Sequence, residues 1–347
     1  MSTHPTILGE MVKQQALDDD EKTSLDVERD LGLPGAGSGQ DDAAASRPAV
    51  ATLLVGVLDK VGTYGMIRFC LQLFPEASQW ATPVVVTLAV FSILYGAILA
   101  IGEPDIMRLI AFTSVSHFGF IVLGIFAFTS VAQSGANFYM VNHGFATAGL
   151  FLVAGMLIAR RGSQDIEAYG GWQRVTPVLA GVFLLSGLAT LSLPGLSTFV
   201  SEFLVIAGAW PREPVATAFA VLGVVLAAIY VLLFYKRVFT GPPPVVGTAG
   251  TDAQEATDEA SELPFVRADL DEGRRPGVLA AAVPDLGWRE KAVVAPIVVA
   301  LVVLGFFPGP ALEVLNPAVE RTLEIVGVGD TIPTVPAGLQ LDSGSDH

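Results

Sequence analysis

Residues 175–209 read VTPVLAGVFLLSGLATLSLPGLSTFVSEFLVIAGA. The run is apolar from end to end, yet too long for one straight helix across a bilayer, which needs about 20 residues at a rise of about 1.5 Å each. Two short sequences interrupt it, Ser186-Gly187 and Ser192-Leu193-Pro194-Gly195. Proline removes a backbone donor and clashes with the preceding turn, so the helix is expected to break near Leu193–Ser197. Broken helices at membrane depth expose backbone groups, admit water and mark ion paths in transporters. Glu202 follows this break, where a carboxyl can carry a proton. The competing reading puts Glu202 in a wet loop near the interface.

Working outward, further apolar stretches of spanning length lie at about 50–74, 81–102, 106–128, 131–159, 214–238 and 291–309. With 175–209 they predict an all-α, polytopic bundle of about seven spans with one discontinuous helix. The composition agrees, at 52% hydrophobic and only 15% charged residues, where soluble domains carry roughly a quarter charged. Trp80, Trp172, Trp210 and Trp288 all fall at predicted span ends, as interfacial anchors should. Basic residues alternate with the spans. Arg160, Arg161 and Arg174 share one connection, and Lys236, Arg237, Arg267, Arg274, Arg275, Arg289 and Lys291 share the next but one. The positive-inside rule then predicts a cytoplasmic N-terminal tail and 239–290 loop and an external C-terminus, and the expected location is the cell inner (plasma) membrane.

The net charge of −15 comes mostly from the first fifty residues, the 247–275 segment and the C-terminal tail. The expected divisions are an acidic, disordered tail over 1–48, membrane helices over 49–240, a cytoplasmic loop over 241–289, a last span over 290–310, and an interfacial helix with a disordered tail over 311–347. The anionic balance argues against nucleic acid as a partner. The lone Cys70 excludes an internal disulfide and any multi-cysteine metal site. The polar, acidic start lacks the basic-then-apolar pattern of a secretory signal.

Three more ionisable residues lie within predicted spans, where each is expensive. Lys60 sits near the middle of the first, beside Asp59, which as an i,i+1 neighbour does not share its helix face. Reaching the interface by snorkelling is awkward from there. His117 lies in mid-span, with Thr113 and Ser114 one turn earlier and placed to hydrogen-bond an imidazole or hold a water. His143 lies in the next span beside Asn142. A single intramembrane histidine is often only a satisfied helix contact; two in successive spans, with a lysine and a glutamate, form a set. Histidine titrates near neutrality, and burial brings amines and carboxyls toward the same range. Lys60, His117, His143 and Glu202 are therefore the expected proton-relay residues, with water filling the gaps.

Four segments carry a family resemblance: VLDKVGTYGMIRF at 57–69, DIMRLIAFTSVSHFG at 105–119, NHGFATAGLF at 142–151 and LPGLSTFVSEF at 193–203. In order and spacing they resemble the antiporter-like subunits of respiratory complex I, the proton-pumping NADH–quinone oxidoreductase, over about residues 50–310. The M-type branch fits best, because Glu202 stands where the L and N branches and cation/proton antiporter subunits generally place lysine.

The resemblance implies that Lys60 is the central lysine of the family's eighth helix, His117 the histidine of the tenth, His143 that of the eleventh, and Glu202 the terminal carboxylate of the broken twelfth. It implies a proton-translocating membrane subunit that holds no cofactor and no metal, with redox chemistry in partner chains. The implied partners are the lipid bilayer and other membrane-arm subunits of L and N type. Family members have about fourteen spans in two inverted repeats. This chain corresponds to the C-terminal half, so a truncated product, a fragment or one piece of a split subunit is expected. The alternatives are a subunit of a multisubunit cation/proton antiporter and a non-functional truncated fragment.

Overall fold

A computed structural model describes residues 48–241 and 283–330. The expectations for the tail over 1–47, for most of the 241–289 loop and for the tail beyond 330 fall outside these residues. The described chain is helical, and its one β contact is an isolated bridge between Asp105 and Asp165.

The first span, α1 (Val50–Leu71), carries two wide π stretches, Leu54–Leu58 and Met66–Leu71, around a regular segment at Asp59–Gly65. There follow α2 (Pro75–Gly102), α3 (Ile106–Phe126), α4 (Ser130–Arg161), α5 (Pro177–Thr190), α6 (Ser197–Ala209), α7 (Pro214–Phe239), α8 (Trp288–Phe306) and α9 (Gly309–Val326). Local chemistry sets the boundaries. Proline opens α2, α5 and α7, where its missing N–H costs nothing. Asp105 caps α3 by accepting from the Arg108 N–H at 2.9 Å, and Thr129 caps α4 through the Ala132 N–H at 3.2 Å. Gly162 closes α4 in the left-handed conformation at φ 76°.

The all-α, polytopic fold with one discontinuous helix stands, but the span count needs refinement. Helices α1, α2, α3, α4 and α7 are each long and apolar enough to cross a bilayer. A sixth span is reached if α8 and α9 are taken together across a bend of 76°. The overlong run is divided between α5 and α6, which at 14 and 13 residues reach only about 21 and 20 Å. Neither crosses a hydrocarbon core of about 30 Å alone, so what reads as a seventh span is a pair of half-length helices.

Helix α3 lies at the centre, with 78% of its apolar window buried against 28% for α1. Helices α2 and α3 touch backbone to backbone at Gly96, where a Cβ would lie 2.8 Å from the Ser116 nitrogen. One large apolar cluster gathers Met107, Ile110, Phe151, Phe183 and Phe234, and a second gathers Ile93, Phe120, Leu123, Ala136 and Val205. Seven of the buried polar residues lie between these clusters in chain position on α3, α4, α5 and α6: Thr113, His117, Asn142, His143, Ser186, Ser197 and Glu202. Each end of the bundle is tied separately. At one end α9 straps the helix termini, through Gln72 to Thr322 at 2.8 Å, Gln79 to the Val326 carbonyl at 3.0 Å and Ser134 to Asn316 at 2.9 Å. At the other, Arg160 pairs with Glu290 at 2.7 Å, and the Asp285 carboxylate accepts from the Val178 N–H at the start of α5.

Candidate functional site

The break in the fifth apolar run is built from the end of α5. The Leu193 N–H reaches the Leu188 carbonyl and the Ser192 N–H the Ala189 carbonyl, each at 3.0 Å. These are the two bonds of a Schellman closure, which places Ser192 at the left-handed position that glycine usually takes. Ser192 has φ 59°. A non-glycine residue there is strained, and such strain persists where surrounding structure holds it. Here the Ser192 hydroxyl donates a short hydrogen bond to Glu202 Oε2. Gly195, at φ 96°, then turns the chain toward α6.

Glu202 is not a wet loop residue. It lies on α6 and is 4% exposed. Its Oε2 also accepts from the Tyr139 hydroxyl of α4 at 2.8 Å. Helix α6 reaches α4 closely because Gly135, one turn before Tyr139, has no side chain; a Cβ there would lie 2.7 Å from the Val205 nitrogen. Asn142, fully buried, holds the start of α6 by donating to the Ser197 carbonyl at 2.8 Å.

From Tyr139 the bonds run on to α3. His117 Nδ1 lies 2.7 Å from the Tyr139 oxygen, and His117 Nε2 lies 3.1 Å from the hydroxyl of Tyr230 on α7. A phenol has one proton to give. With Tyr139 donating to Glu202, it accepts from His117 Nδ1–H, which leaves the Nε2 lone pair to accept from Tyr230 O–H. Every donor in the run Tyr230–His117–Tyr139–Glu202 is then matched, with four buried side chains in direct contact.

His143 joins this run by ring contact rather than by a hydrogen bond. Its ring centroid is 5.3 Å from that of His117, its Nε2 lies 3.0 Å from Thr147 Oγ1, and its Nδ1 is buried without a partner. An unpartnered buried nitrogen costs about 1–3 kcal/mol. Lys60 stands on the far side. Its ammonium donates to the Val55 carbonyl at 2.5 Å, inside the first π stretch of α1, and lies 4.9 Å from the centre of the Phe118 ring. The Phe118 ring in turn meets His143 edge to face at 5.5 Å.

The fold therefore brings His117 and Glu202 into one hydrogen-bonded run, sets His143 against it, and leaves Lys60 separated by an aromatic ring. Thr113 and Ser114 do not serve His117 as expected; both hydroxyls bond the Ile110 carbonyl, at 2.8 and 3.2 Å. Sequence reasoning missed Tyr139 and Tyr230 and used Ser192 only as an interruption. A signal for Tyr139 existed, because it precedes His143 by four residues and so shares its helix face.

Such an assembly is a polytopic helical membrane bundle organised around a discontinuous helix that carries a buried carboxyl. The chain belongs to the NADH:quinone oxidoreductase/Mrp antiporter transmembrane family, whose model matches residues 41–229. It is 48% identical over 295 residues to the NADH-quinone oxidoreductase subunit M of Mycobacterium tuberculosis H37Rv, covering 85% of this chain and 47% of that protein. The chain thus spans about half the length of the curated relatives it matches. Among solved structures, respiratory complex I from Thermus thermophilus with bound NADH matches with a TM-score of 0.68 at 29% identity, covering 83% of this chain and 55% of that one. The Mrp complex from Dietzia sp. DQ12-45-1b matches with a TM-score of 0.67 at 25% identity, covering 83% and 57%.

Proposed function

We propose that this chain is a proton-translocating module of the membrane arm of an NADH–quinone oxidoreductase, with Lys60, His117, His143 and Glu202 as its relay residues. The observation that carries the reading is the buried run from His117 through Tyr139 to Glu202, with bonds of 2.7 and 2.8 Å. Charged and polar groups survive at that depth only when paired or functional. Redox chemistry belongs to partner chains, and the partners are neighbouring antiporter-like subunits of the arm. The M-subunit names of relatives at 33% and 48% identity favour this over a cation/proton antiporter, as does a carboxyl at position 202; among solved structures the margin is 29% for complex I against 25% for the Mrp complex.

The orientation follows from charge. Arg160, Arg161, Arg174, Lys236, Arg237, Arg289 and Lys291 lie at or beside the helix ends opposite α9. That end faces the cytoplasm together with the N-terminal tail, and the α9 end faces outward. The deciding experiment places Glu202→Gln and Lys60→Ala in the assembled complex and measures protons moved per NADH oxidised. Both variants should assemble and move fewer protons. Unchanged stoichiometry in both would defeat the proposal.

A further inference from the structure

We infer that Tyr139 is itself a proton carrier, the group through which His117 and Glu202 exchange a proton without an intervening water. The inference rests on the relay reading above and adds a residue to it. Tyr139 is fully buried, and its one oxygen lies 2.7 Å from His117 Nδ1 and 2.8 Å from Glu202 Oε2. Both distances are those of direct hydrogen bonds, so no gap remains for solvent to bridge.

The geometry also permits the run to reverse. When His117 is doubly protonated and Glu202 ionised, His117 Nδ1–H passes its proton to the Tyr139 oxygen as Tyr139 passes its own to Glu202 Oε2. The products are a neutral imidazole, an intact phenol and a carboxylic acid, so one proton has moved and the charge pair is gone. His117 keeps the proton on Nε2, toward which Tyr230, 3.1 Å away, had already turned from donor to acceptor when His117 was loaded. The return step runs backward through the same atoms, with Glu202 donating to the Tyr139 oxygen and Tyr139 to His117 Nδ1. The proton that loads His117 must arrive at Nε2, since Nδ1 already carries the proton held toward Tyr139.

Two further features fit a carrier better than a packing residue. Gly135 brings α6 within reach of Tyr139, since a Cβ there would lie 2.7 Å from the Val205 nitrogen. Ser192 supplies a second hydroxyl to the same carboxyl oxygen, so Glu202 does not depend on Tyr139 to satisfy it. The phenol is therefore free to exchange its proton rather than merely to hold the acid in place.

The test uses inverted membrane vesicles containing the assembled complex and compares three forms at position 139: tyrosine, Tyr139→Phe, and 3,5-difluorotyrosine introduced by an expanded code. Quinone-reductase activity and protons moved per NADH are read across pH. Tyr139→Phe should assemble and lose proton transfer to the level of Glu202→Gln. Difluorotyrosine, which keeps a more acidic O–H, should restore transfer with a displaced pH profile. A packing role would leave phenylalanine near wild type and the profile unmoved. Wild-type stoichiometry in Tyr139→Phe, with Glu202→Gln impaired, overturns the inference and spares the relay reading. Wild-type stoichiometry in Glu202→Gln overturns the inference, and the same result in Lys60→Ala as well overturns the relay reading too. If Tyr139→Phe does not assemble, the difluorotyrosine profile decides, and an unmoved profile overturns the inference.

Discussion

Ser192 offers a separation of backbone strain from hydrogen bonding, because two substitutions share one loss and differ in the other. Ser192→Ala and Ser192→Gly both remove the hydroxyl donated to Glu202. A hydrogen bond to a charged group is worth about 1.5–3 kcal/mol, so both variants should be less stable than the parent by about that amount. They differ at the backbone, where φ is 59°. Alanine keeps the left-handed penalty of about 1–2 kcal/mol, while glycine escapes it. Glycine in turn gives the unfolded chain more freedom, worth about 0.4–1 kcal/mol against it. The balance favours Ser192→Gly over Ser192→Ala by about 0.8 kcal/mol at the centre of a range of about 0–1.6. The assay is reversible unfolding of the purified chain in bicelles, followed by tryptophan fluorescence, with all three proteins run side by side. If Ser192→Ala proves as stable as Ser192→Gly, position 192 stores no strain. If both match the parent, the bond to Glu202 contributes nothing to folding and the account of the break is wrong.

Gly135→Ala would place a Cβ 2.7 Å from the Val205 nitrogen, and overpacking of this kind costs about 1–3 kcal/mol; thermal unfolding should show the loss, and an unchanged midpoint would mean that α4 and α6 are not in close contact. In the connection between α4 and α5, burial raises the proton affinity of the Tyr169 phenol, against a smaller opposing effect of Arg161. Its hydroxyl donates to the Ser163 carbonyl at 2.6 Å. Because the raised value favours the neutral phenol, this contribution is whole below the unfolded value of about 10 and is lost as pH climbs above it. Tyr169→Phe should therefore flatten the alkaline fall of stability, which denaturation at pH 9 to 11 would reveal; an identical fall in both proteins would remove Tyr169 from the account.

The sequence disclosed those parts of the site that a bilayer makes costly. A lysine, two histidines and a glutamate stand out in apolar runs because hydrocarbon does not tolerate them idly. The break was legible from Pro194-Gly195, since proline ends a helix whatever surrounds it. Tyrosine gives no such signal: its ring suits an apolar core and its hydroxyl an interface, so Tyr139 and Tyr230 read as ordinary packing. The left-handed turn at Ser192 was hidden because nearby Gly195 is the obvious candidate for such a conformation. Thr113 and Ser114 misled for a local reason. A hydroxyl in a helix finds the carbonyl three or four residues back more readily than a side chain across a turn, and both bond Ile110.

The four sequence-marked residues differ in how they are joined, and the difference bears on control. Between His117 and Glu202 the contact is continuous, and a proton can pass by bond exchange alone. The Lys60 ammonium lies 4.9 Å from the centre of the Phe118 ring and the His143 and His117 rings are 5.3 Å apart, with no hydrogen bond among the described residues joining Lys60 to either histidine. Transfer there needs either a water beside the unpartnered His143 Nδ1 or a swing of the lysine away from the Val55 carbonyl. The π stretch that presents that carbonyl is the kind of helix irregularity found at functional sites, and it lies on α1, the least buried of the five long spans. If the proposed relay operates, its control is therefore expected at α1 and not at the buried carboxyl.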